Sequence, residues 1–100
     1  MDYTIKLLPV ALQDLKEAKK WYSEKSAQLA LDFKQEVNRE IDYIKQYPEH
    51  YQLRYKELRQ SLVTRFPYAI FYLVEEDLNQ VIIFGVLHTS RNPEIIRKRV

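Results

Sequence analysis

The sequence predicts an α+β domain: a two-helix hairpin packed on a small antiparallel sheet, in the order β-αα-βββ. Three observations carry this. Apolar residues recur at three- and four-residue spacing through residues 9–47, as on one face of a helix. The second half holds three short runs rich in Val, Ile, Phe and Tyr, "QSLVTRF", "YAIFYLVEE" and "QVIIFGVLH", separated by turn residues. A brief alternating stretch, "YTIKLL", precedes the first helix.

Taken in order, residues 2–8 are expected to add a strand to the sheet. Pro9 opens the first helix, because its missing N–H falls where no acceptor exists. Leu12, Leu15, Ala18 and Tyr22 form its apolar stripe. "SEKS" breaks the pattern, and Ser26 can cap the second helix by accepting from a free backbone N–H. Ala30, Phe33, Val37, Ile41 and Ile44 continue as a second stripe, until Pro48 disfavours helix at Tyr47. The short link makes the two helices antiparallel. "YQLRYKELR" reads as a short strand or an extended connector. Strands are expected at 60–66, 68–76 and 80–88, with "EEDLNQ" as the turn between the last two. "NPEIIRKRV" suits a terminal helical turn with Asn92 as cap and Pro93 at its first position. The expected core is Leu12, Leu15, Phe33, Val37, Ile41, Ile44, Ile70, Ile83 and Val86.

Composition narrows the function. One hundred residues suit one domain, 1–100, with a single modest core. Without cysteine there is no disulfide framework and no thiolate metal site. A single glycine, Gly85, excludes the glycine-rich phosphate loops. No apolar run is long enough to span a bilayer and no signal pattern opens the chain, so a cytoplasmic protein is expected. The net charge of +2 is too small for a strongly basic nucleic-acid binder, but four of the eight basic residues of the second half (Arg91, Arg97, Lys98, Arg99) crowd the last ten positions. Glu75, Glu76 and Asp77 read as a solvated turn rather than a metal site. His50 lies in a loop composition and is assigned no role. Trp21 is expected to pack on the second helix or the sheet edge. No cofactor is expected.

The sequence "DLKEAKKWYSEKSAQLALDFKQEVNREIDYIKQYPEHY", with "RFPYAIFY" and the strand ending "VLHTSR", resembles the RelE/ParE toxin family of bacterial toxin–antitoxin systems. The resemblance spans nearly the whole chain. It implies a sheet packed on a helical hairpin, and a cognate antitoxin whose tail wraps the toxin, in a dimer or heterotetramer. Such a partner is expected to be small, about 80 residues, acidic and partly disordered. The sheet is expected to leave an exposed apolar groove. RelE-like members cut messenger RNA on the ribosome; ParE-like members poison DNA gyrase.

Metal-free RNA cleavage needs a general base, a general acid and cations for the developing charge. His88 can serve as acid or base, Arg65 and Arg91 can hold phosphate, and Tyr68 can stack on a base or donate a hydrogen bond. His88 can equally bond a loop carbonyl at a strand exit, and Tyr68 and Tyr72 can be sheet-packing aromatics. Where RelE-type nucleases carry a catalytic arginine this chain has Ala69, and where they carry lysines it has Gln60 and Leu62. The ParE-like, non-catalytic mode is therefore favoured, with Arg91, Arg97, Lys98 and Arg99 contributing to target contact. The alternatives are a ribosome-dependent RNase and a non-toxic antitoxin-binding module, so enzymatic activity is left open.

Overall fold

A computed structural model describes residues 2–100. Strand β1 (Thr4–Leu7) leads into helix α1 (Pro9–Lys25), which turns into α2 (Ala27–Gln46). Strands β2 (Leu53–Tyr55), β3 (Leu58–Leu62) and β4 (Tyr68–Glu75) follow. A 3-10 turn at Glu76–Leu78 leads to β5 (Gln80–His88), and the chain closes on the one-turn helix α3 (Glu94–Arg97). The five strands form one sheet in the order β1-β5-β4-β3-β2. The expected α+β architecture is the observed one.

Local chemistry explains the hairpin. Pro9 stands at the start of α1, and Ser26 serves both helices. Its backbone N–H donates to the Tyr22 carbonyl at 2.9 Å, ending α1. Its hydroxyl accepts from the Gln28 and Leu29 N–H groups, starting α2. The link is thus one residue, and the "SEKS" break is shorter than expected, since Ser23–Lys25 remain helical.

The core differs from expectation on α1. Ala11, Ala18 and Tyr22 are buried, Leu15 is half-buried, and Leu12 is 45% exposed. Ala11, fully buried, holds the core place expected of Leu12. Phe33, Val37, Ile44, Ile70, Ile83 and Val86 are buried as expected, and Ile41 packs half-buried against them. Tyr72 is fully buried and donates its hydroxyl to the Pro48 carbonyl at 2.8 Å.

The sheet shows three features that periodicity does not predict. First, β1 pairs with β5 in parallel, Thr4 opposite Gln80 and Leu7 opposite Ile83; the other pairs are antiparallel. Second, "YQLRYKELR" is a hairpin rather than a connector, turning through Lys56 at φ 50°. Third, β5 bulges. Phe71 faces Gly85 but Tyr72 faces Ile83, leaving Phe84 without a partner on β4. The strand expected at 60–66 runs instead from Leu58 to Leu62, because the chain leaves the sheet at Val63 and passes through Arg65 at φ 72°.

Beyond Ile83 the edge of β5 has no β1 neighbour, and side chains replace it. Arg99 donates to the Phe84 carbonyl at 3.2 Å, and Asp14 accepts from the Val86 N–H at 3.0 Å. Arg99 and Asp14 join each other through two bonds of 2.6 and 3.1 Å. Gly85 lies under this crossing: a Cβ there would stand 2.6 Å from Arg99 Nη1 and 2.9 Å from Ile96 Cδ1. The only glycine of the chain is required by close approach.

Candidate functional site

The site grows from the end of β5. His88 is the cross-strand partner of Tyr68, and their rings meet edge to face at 5.3 Å. The chain then turns tightly, with the Arg91 N–H on the His88 carbonyl and the Thr89 N–H on the Pro67 carbonyl. Within this turn, His88 Nδ1 lies 3.1 Å from the Ser90 N–H nitrogen and 2.8 Å from its hydroxyl. A backbone N–H can only donate, so Nδ1 is the acceptor and the proton of the neutral ring sits on Nε2. The strand-exit histidine is thus held by the serine two residues on, not by a loop carbonyl.

Two clefts meet at His88. The larger, about 360 Å³, lies between α1 and the β5 exit, and is lined by Glu17, Trp21, Tyr68, His88 and Arg91 with Asp14. The smaller, about 140 Å³, opens on the sheet face away from the hairpin and is lined by Arg54, Gln60, Ala69, His88 and Arg91. Gln60 and Ala69, where the resemblance implies cations, therefore do converge on His88. Neither carries charge. The smaller cleft instead draws Arg54 from the β2–β3 hairpin, and among the described residues no carboxylate lines it. Sequence reading missed Arg54, whose only signal was its place in an ambiguous alternating stretch.

The other singled-out residues separate. Tyr68 belongs to an aromatic cluster with Tyr22 and Phe33 while its edge lines the larger cleft. Burial raises its pKa, the Tyr22 phenol adds to this, and Arg91 partly offsets it. Arg65 is not in either cleft. Its guanidinium turns to α2, 3.6 Å from Asp32 and 4.0 Å from Glu36. Trp21 is 53% exposed, edge-on to Tyr22 with Lys25 over its ring, and lines the larger cleft instead of packing on α2 or the sheet edge. Arg97 pairs with Glu94 at 2.7 Å and lies over Tyr55, and Lys98 is exposed. Arg99 is different in kind. Its side chain is 16% exposed and is committed to Asp14, itself 9% exposed. Of the four basic residues near the chain end, Arg99 is therefore the one held as a clamp between α1 and β5.

Among the described residues, no three His, Asp or Glu side chains converge to hold a metal, and no helix is long and apolar enough to cross a membrane.

The same architecture recurs in solved structures. The chain is similar to a chain of the chromosomal ParDE toxin–antitoxin system of P. aeruginosa, with a TM-score of 0.74 at 16% identity, over 86% of this chain and 95% of that one. It is also similar to a chain of the intact E. coli RelBE toxin–antitoxin complex (TM-score 0.65, 13% identity, 89% and 99% covered). A third likeness is to the RelBE2 complex of Mycobacterium tuberculosis (0.61, 20%, 88% and 99%). A search of curated protein sequences returns no significant match. The family model described as the ParE toxin of the type II toxin–antitoxin system parDE matches residues 5–93. With that match spanning most of the chain, this protein belongs to the ParE toxin family of type II toxin–antitoxin systems.

Proposed function

We propose that this toxin acts by a ParE-like, non-nucleolytic mode, with DNA gyrase as its target, in the cytoplasm, and that a cognate antitoxin silences it in a dimer or heterotetramer. The observation that carries the reading is that the positions beside His88 where the resemblance implies catalytic cations carry none. Ala69 and Gln60 supply none, Arg65 is drawn away to Asp32 and Glu36, and Glu17 faces the larger cleft beside Arg91. A cleaved phosphodiester gathers negative charge that such a site stabilises poorly. Target contact is assigned to the exposed basic residues Arg91, Arg97 and Lys98.

A second reading, a ribosome-dependent RNase, draws on the carboxylate-free cleft where Arg54 and Arg91 flank His88. A supercoiling assay with purified gyrase, run beside mRNA cleavage on ribosomes, separates the two. Gyrase inhibition without mRNA cuts is expected. In that case His88→Gln retains inhibition, and Arg97→Glu with Lys98→Glu weakens it in a salt-dependent way. Ribosomal cleavage that His88→Gln lowers by about 10²–10⁴ reverses the assignment. Neither activity in the wild type points to a non-toxic antitoxin-binding module.

A further inference from the structure

The larger cleft beside His88 holds charges that the target reading leaves unused. Asp14, Glu17, Ala18 and Trp21 line it from α1 at spacings of three and four residues, so one stripe of the helix forms that wall. Asp14 is committed to Arg99 and the Val86 N–H, and Ala18 belongs to the core. Glu17 and Trp21 are uncommitted. Gln13 donates to Glu17 Oε1 at 3.2 Å, and among the described residues the carboxylate enters no ion pair. Trp21 is 53% exposed, and Lys25, which does not line the cleft, lies over its ring at 4.8 Å. The wall at the β5 exit has the opposite chemistry. Among the described residues Arg91 enters no ion pair, and His88, held through Nδ1 by Ser90, keeps Nε2–H as a donor. A carboxylate and a guanidinium thus line one cleft of about 360 Å³ without pairing, together with the rings of Trp21 and Tyr68. That volume falls within the roughly 300–1,000 Å³ of small-molecule sites.

We propose that this cleft binds a free guanine mononucleotide. The purine stacks on the exposed indole of Trp21. Guanine carries two adjacent donors, N1–H and its amino group, and the Glu17 carboxylate accepts from both. Adenine and cytosine set an acceptor beside their amino group, and the N–H of uracil stands between two carbonyls. Each of these turns a lone pair toward the carboxylate, so Glu17 selects guanine. The phosphate meets the Arg91 guanidinium, with His88 Nε2–H as a further donor. A mononucleotide fits better than a strand. A continuing phosphodiester backbone carries charge past Asp14 and Glu17, whereas a single terminal phosphate engages Arg91 and avoids both. An arginine offers Glu17 the same fork of donors but brings Arg91 a carboxylate of lower charge than a phosphate.

The test uses the full chain and its own reporter, since Trp21 is the only tryptophan. Its fluorescence is excited at the red edge, beyond the absorption of the bases, and titrated with GMP, AMP and guanosine. GMP is expected to quench it saturably with a Kd below about 1 mM. AMP and guanosine should each bind about tenfold more weakly, one for want of the donor pair and the other for want of the phosphate. The exposed substitution Glu17→Gln should erase the difference between GMP and AMP. Arg91→Gln should erase the difference between GMP and guanosine while the preference for guanine persists. Circular dichroism checks that both variants keep the fold. Equal binding of GMP and AMP, no saturable quenching, or a guanine preference that survives Glu17→Gln overturns the proposal. Tighter binding of a single-stranded RNA tetramer with an internal guanosine overturns it in favour of a nucleic-acid strand. Displacement of GMP by equimolar free arginine overturns it in favour of a guanidinium ligand. Binding is read on the toxin alone, so the result stands whether or not gyrase is the target.

Discussion

The two faces of the sheet are closed in different ways. The hairpin face is covered by two long helices, and Tyr22, Phe33, Val37, Ile44, Tyr72, Ile83 and Val86 form a continuous core with aromatic rings about 5 Å apart. The opposite face has a small cluster, Leu58, Ala69, Phe71, Leu87 and Ile96, closed by the four-residue helix α3. That helix makes one turn and cannot hold itself in place. Asn92 accepts from the Glu94 N–H at 3.0 Å, and Arg99 reaches the edge of β5 to grip Asp14. The first face is built by many dispersed contacts; the second depends on a few polar ones, and it is the face where Arg54, Arg91 and His88 meet.

This contrast sets an order of effects. Phe33→Ala, at the centre of the aromatic cluster, is expected to cost about 4 kcal/mol. It should lower protection from amide exchange throughout α1, α2 and β4. Arg99→Ala strands the Asp14 carboxylate in a largely buried place and should cost about 3 kcal/mol. Here the loss should be concentrated in residues 92–100 and at the β5 bulge, read by the same exchange experiment. A uniform loss of protection in Arg99→Ala would show that the two faces do not differ as described. Gly85→Ala should mimic it, since the added methyl displaces Arg99 and Ile96.

Smaller effects sharpen the picture. Tyr72→Phe removes the bond to the Pro48 carbonyl and should cost about 1 kcal/mol at neutral pH. Burial pushes the Tyr72 phenol up to about 12, against the pull of Arg59. A phenol raised above its unfolded value of 10 favours folding while protonated. That contribution is complete below pH 10 and is lost as pH rises toward 12. Denaturant titrations of wild type and Tyr72→Phe between pH 9 and about 12 should therefore converge. Parallel curves would remove Tyr72 as the source. His88→Gln is expected to be the mildest change, within about 0.5 kcal/mol, because it lies half-buried at a strand exit.

The site was partly legible. His88, Tyr68 and Arg91 come from one strand pair and the turn after it, so a reading of local pattern could place them together. Arg65 could not be judged that way. Its distance from His88 depends on a left-handed turn and on two carboxylates of α2 that are remote in sequence. Arg54 reaches the smaller cleft only once a three-residue edge strand folds back. Arg99 looked like part of a solvated basic end because its partner, Asp14, lies 85 positions away.

What the sequence by itself determined is what neighbouring residues decide among themselves. The apolar stripes, Pro9, Ser26 and Pro48 specify the hairpin, and the runs at 68–75 and 80–88 specify the two central strands, because helix and strand periods act over a few residues. Only the tertiary structure decided the parallel seat of β1, the bulge at Phe84, the exchange of Leu12 for Ala11 in the core, and which arginines remain free. Each of these depends on the closeness of two elements far apart in the chain. A clash such as that between a Cβ on Gly85 and Arg99, or a charge pair such as Asp14 with Arg99, exists only after the chain has closed around it.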